Sequence, residues 1–60
     1  MSNVYIQYEG ILGDWNTCNT MDAPVSDTSL RIALQNMKLA KPNSRVRAID
    51  DQGRLLDLWP

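Results

Sequence analysis

Sixty residues, 43% of them apolar and 22% charged, carry a formal net charge of −1. That is enough for one thin-cored domain spanning residues 1–60, and it excludes a disordered tail, which would be poorer in Leu, Ile, Val and Trp. The slight acidity argues against a general nucleic-acid binder, and the apolar runs fall far short of the ~20 residues that a membrane helix needs.

From Met1 to Pro60 the chain reads as a small gene product without tag, linker, lipidation motif or signal segment. Cys18 is the one cysteine, so no internal disulfide can form and a reducing cytoplasm is the expected location. Charge is unevenly spread. Residues 1–30 hold four acids (Glu9, Asp14, Asp22, Asp27) and no base, whereas residues 31–60 hold six bases (Arg31, Lys38, Lys41, Arg45, Arg47, Arg54) against three acids. Such asymmetry marks either a partner-facing side or two halves that attract each other.

Val4, Ile6 and Tyr8 alternate with Tyr5, Gln7 and Glu9, a period of two that predicts a strand over residues 3–9 with the first set turned to the core. Gly10 and Gly13 then punctuate the chain, and the polar stretch from Asp14 to Pro24 reads mostly as loop. A short strand around residues 11–16, turning at Glu9-Gly10 or Gly13-Asp14, is the alternative.

Leu30, Ala33, Leu34 and Met37 follow helical spacing from Asp27 onward, behind a cluster of N-cap residues at Ser26–Ser29. Lys38 and Lys41 suit the negative end of the helix dipole, and Pro42 stops the helix. Ile32 and Leu39 fall on nearly the opposite side of the stripe, so they are expected either to be covered or to form a homodimer contact.

Residues 45–50 and 54–59 flank Asp51-Gln52-Gly53, a three-residue hairpin loop with Gly53 in the left-handed position. The register this implies pairs Asp50 with Arg54, Ile49 with Leu55, Ala48 with Leu56, Arg47 with Asp57, Val46 with Leu58 and Arg45 with Trp59. Val46, Ala48, Leu56 and Leu58 would then face the core. The expected fold class is α+β: a three- or four-stranded antiparallel sheet with one helix packed on one face, in the order β-α-β-β, with residues 54–59 as the central strand.

The chain contains no histidine, which removes the commonest general base and metal ligand, and a lone cysteine has no partner to activate it. A zinc site needs four N or S ligands. Asp50-Asp51-Gln52-Gly53 lacks the alternating acids and terminal Glu of a calcium loop, and Gly10 with Gly13 makes no phosphate-binding loop. No enzyme activity, cofactor, metal or small-molecule substrate is therefore expected.

What remains is surface. The outer sheet face is expected to present Tyr5, Arg45, Arg47, Ile49, Leu55, Asp57 and Trp59, with Lys41 at its edge, unless Trp15, Ile11 or Leu12 folds over it. Aromatic and arginine side chains are enriched where proteins bind proteins. In size and lack of catalytic residues the chain resembles, in type alone, the small inhibitors and host-modulating proteins encoded by phages and mobile elements. The leading expectation is thus a protein-binding module, acting alone or as a homodimer, that inhibits or modulates a larger protein. A nucleic-acid regulator using Arg45, Arg47, Lys41, Tyr5 and Trp59 is the rival, and a structural subunit of an assembly the third reading.

Overall fold

The computed structural model describes residues 3–60. Its elements are β1 (Asn3–Glu9), β2 (Trp15–Asp22), α1 (Asp27–Ala40), β3 (Val46–Asp50) and β4 (Leu55–Trp59). They form a four-stranded sheet in the order β2-β1-β3-β4, with every neighbouring pair antiparallel.

The expected α+β class holds, but the order is β-β-α-β-β, because residues 15–22 are a strand rather than loop. The turn spans residues 10–14, including Ile11 and Leu12 that the alternative placed in a strand over residues 11–16, and the strand begins only at Trp15. Its sequence gives little sign of this, for WNTCNTMD has no sustained apolar alternation. An edge strand exposed over most of its length needs none.

The extra strand also moves the centre of the sheet. With β2 returning the chain, α1 crosses back and delivers β3 antiparallel to β1, so β3 and not β4 lies beside β1. The strand expected in the centre, residues 54–59, is an edge.

The helix forms as its caps and stripe dictate. Ser26 Oγ accepts the Ser29 N–H at 3.1 Å, and the Lys41 N–H closes the far end on the Met37 carbonyl at 2.9 Å. Lys38 Nζ donates to the Ser44 carbonyl at 2.8 Å, tying the last turn to the loop that follows. Leu34 is fully buried against Val4, Ile6, Val46 and Ala48, with Tyr8, Met21, Val25, Leu30, Ala33, Met37 and Trp59 around them. Five buried residues among those described make a thin core, as expected for this length.

The β3–β4 turn has Gly53 at φ 80°, with its N–H on the Asp50 carbonyl at 3.1 Å and the Asp50 N–H on Arg54 O at 3.0 Å. Ile49 pairs with Leu55 as the three-residue loop requires. Beyond that the register slips: Ala48 meets Asp57, Arg47 meets Leu58 and Val46 meets Trp59. Leu56 is the extra residue of a β-bulge, which no local turn signal announces. The slip carries the large Trp59 toward the core in place of Leu58, and a tryptophan buries more apolar surface than a leucine.

Candidate protein-interaction surface

Residues paired across antiparallel strands point to the same face, so the outer face can be read in rows. Thr20, Tyr5, Ile49 and Leu55 make one row. Thr17, Gln7, Arg47 and Leu58 make the next, and Trp15 and Glu9 begin a third that Arg45 completes. The mostly apolar Tyr5 row therefore has the Asn3–Asp22 pair on one side and the polar and aromatic rows on the other.

The polar rows are interlocked. Arg45 grips Glu9 in a fork, Nε to Oε1 at 3.0 Å and Nη2 to Oε2 at 2.6 Å. Arg47 Nε donates to Gln7 Oε1 at 2.8 Å, and Gln7 Nε2 donates to Thr17 Oγ1 at 2.9 Å. Both guanidinium groups approach the Trp15 ring, Arg47 at 4.2 Å and Arg45 at 5.8 Å from its centroid, within the range where the ring's negative face attracts a cation. The Arg45 hydrogen bond holds the Glu9 carboxyl below its ordinary range, and Glu9 in turn raises Arg45.

Of the residues expected here, the face brings together Tyr5, Arg45, Arg47, Ile49 and Leu55. Asp57 and Trp59 lie on the helix side, paired with Ala48 and Val46. There Asp57 accepts the Leu58 N–H at 2.9 Å and Trp59 Nε1–H at 3.2 Å. The expected Arg47–Asp57 and Arg45–Trp59 pairs are thus replaced by Arg47 and Arg45 on Trp15. Lys41 also leaves the face: its Nζ sits 4.9 Å from the centroid of Tyr8, whose partner Val46 is buried. Leu56 and Leu58, expected in the core, are exposed.

The sequence reading missed Thr17 and Leu58 as face residues, and had Trp15 only as one of three residues that could fold over the face. Trp15 carried the available signal, since a tryptophan in a polar stretch seeks a flat surface to cover. Trp15 does cover part of the outer face, whereas Ile11 and Leu12 do not, being fully exposed at the β1–β2 tip. Ile32 and Leu39 are exposed on the helix.

Cys18 is the bulged residue of β2, standing between the pairs Ile6–Asn19 and Gln7–Thr17. Its thiol reaches the Ile6 carbonyl at 3.2 Å and lies 3.3 Å from Met37 Sδ, where burial raises its pKa above the ordinary value. Among the described residues no three His, Cys, Asp or Glu side chains gather as a metal site would need, and no helix is long and apolar enough to cross a membrane.

The fold and this surface define a small α+β protein with one sheet face open. Searches of protein-family models, curated proteins and solved structures find no match to the chain.

Proposed function

We propose that the chain is a non-catalytic binding module that docks its open sheet face onto a larger protein and inhibits or modulates it, a role typical of small proteins encoded by phages and mobile elements. The observation that carries this reading is the face itself: Tyr5, Ile49, Leu55 and Leu58 form an apolar row and its neighbour, with no helix over them, beside the Arg47–Trp15 stack. Apolar side chains beside an arginine and a tryptophan have the composition of binding hot spots. The partner it suits has an apolar surface with a carboxylate placed to meet Arg47.

The test is affinity capture from a lysate of the encoding organism with the wild-type chain and with Arg47→Glu as baits, both checked for native circular dichroism. One protein held by the wild type and released by the charge reversal supports the reading. Equal capture by both overturns it. Retention on DNA cellulose that falls steeply with salt would favour the nucleic-acid regulator instead, a reading that loses Lys41 and Trp59 from its surface.

A further inference from the structure

We propose that Asp57 guards the outer edge of β4, and that without its carboxylate a second copy of the chain adds its own β4 antiparallel to this one. The inference rests on the edge and does not depend on what the open face binds.

The direction of each peptide group on β4 follows from the ladder beside it. The Glu9 N–H bonds the Arg45 carbonyl at 2.9 Å, and hydrogen-bonded and non-bonded pairs alternate along antiparallel strands. Gln7–Arg47 and Tyr5–Ile49 are therefore bonded pairs of β1 and β3, so Arg47 and Ile49 direct their N–H and C=O groups to β1. Their partners on β4, Leu58 and Leu55, consequently turn their own peptide groups outward. The hairpin end agrees: the Asp50 N–H bonds the Arg54 carbonyl at 3.0 Å, which makes the adjoining Ile49–Leu55 pair a non-bonded one.

Outward peptide groups on an edge strand are a template for another strand. Leu55, Leu56 and Leu58 are 56%, 46% and 43% exposed, and the charges of Arg54 and Asp57 cancel over residues 54–59, a composition that favours pairing between chains. The segment also fits itself. A two-fold axis between positions 56 and 57 sets Leu55 opposite Leu58 of the second copy, twice. Both leucines lie on the open face and both have outward peptide groups, so the bonded pairs match at each end with the two bulges facing each other. The other edge, β2, exposes Thr17, Asn19 and Thr20 in place of leucines.

Asp57 opposes that pairing in two ways. Its Oδ1 accepts the Leu58 N–H at 2.9 Å, filling the donor that a second strand needs, and its Oδ2 accepts Trp59 Nε1–H at 3.2 Å, which holds the carboxylate at the edge. No arginine or lysine forms an ion pair with it among the described residues. The two-fold register brings the two Asp57 carboxylates beside each other across the axis, where like charges repel. A charged side chain on an edge strand is a device by which sheet proteins stay apart.

Amide hydrogen exchange and sedimentation equilibrium of the full chain test the proposal. In the dilute wild type the Leu58 N–H should exchange more slowly than the Leu55 N–H, each taken relative to its intrinsic rate, and Asp57→Ala should erase the difference. Asp57→Ala, with native circular dichroism, should lower the dimer dissociation constant at least ~10-fold. Asp57→Asn removes the charge but keeps an oxygen for Leu58, so its association should fall between the two. Asp51→Ala, which deletes an exposed acid of the neighbouring turn, should associate as the wild type does. Leu55→Lys added to Asp57→Ala should return the protein to monomer. Wild-type Leu58 exchanging as fast as Leu55 overturns the proposal, as does a folded Asp57→Ala or Asp57→Asn that associates no more than the wild type, or association that survives Leu55→Lys. Should Asp57→Ala fail to fold, the wild-type exchange rates and Asp57→Asn decide.

Discussion

The guanidinium of Arg47 lies 4.2 Å from the centroid of the Trp15 ring, joining β3 to β2 over the top of β1. These strands share no ladder, so the stack is a side-chain tie across the width of β1. It also fixes two large groups that a binding partner would meet already ordered, which lowers the entropy lost on docking.

Removing the ring should therefore cost stability as well as binding. Trp15→Ala is expected to lower the unfolding free energy by about 1–2 kcal/mol, from lost apolar cover and the lost cation–π contact together. Trp15→Phe should cost less, because a ring remains under Arg47. Urea midpoints of the two variants and the wild type measure the difference.

Leu34 is the helix residue fully buried against the sheet. Leu34→Ala should cost about 2–5 kcal/mol, close to the whole stability expected of a chain this size. Far-ultraviolet circular dichroism at 25 °C should show the variant largely unfolded. Leu39→Ala, on the exposed side of the same helix, should change the midpoint little.

Two carboxylates make the fold acid-sensitive. Glu9 is held low by its hydrogen bond from Arg45. Asp50 is held low first by the backbone N–H of Arg54, and further by the Arg54 side chain and the Gln52 N–H. A carboxyl whose pKa is depressed in the folded state stabilises the fold above its unfolded pKa, roughly 4. The contribution is lost as pH falls through the lower folded value. Urea midpoints should hold steady from pH 7 to about 5 and decline below about 4. Glu9→Gln should shallow the decline.

Cys18 should be a sluggish nucleophile. Burial raises its pKa, so its thiolate fraction at neutral pH is below that of a free thiol. Alkylation by iodoacetamide at pH 7.5 should run slower than that of glutathione and speed up in urea. A native rate equal to that of glutathione would contradict the placement of the thiol between Ile6 and Met37.

Most of the architecture could be read from local signals strong enough to override their surroundings. The Val4-Ile6-Tyr8 alternation, the Ser26 cap and the stripe through Leu34, and the left-handed Gly53 each specify one conformation by themselves. Residues 15–22 could not be read this way, because a polar edge strand is held by pairing with β1, and pairing leaves no periodic mark. The exchange of Trp59 for Leu58 was hidden for a related reason. It follows from a bulge at Leu56, whose cause is the gain of packing Trp59 near Val46, a contact between residues thirteen apart. Arg47 and Tyr5 could be placed on the open face since their own alternation sets it. Lys41 could not, because its direction depends on where the helix ends over Tyr8.

Photo-crosslinking from a benzophenone amino acid tests the central claim, that the open sheet face is the docking surface, most directly. The probe is placed at position 55 on the face or at position 32 on the helix, and irradiated in a lysate of the encoding organism. A discrete crosslinked protein from position 55, absent from position 32 and suppressed by excess wild-type chain but not by Arg47→Glu, is the predicted result. Crosslinking from position 32 alone, or equal suppression by Arg47→Glu, would contradict it.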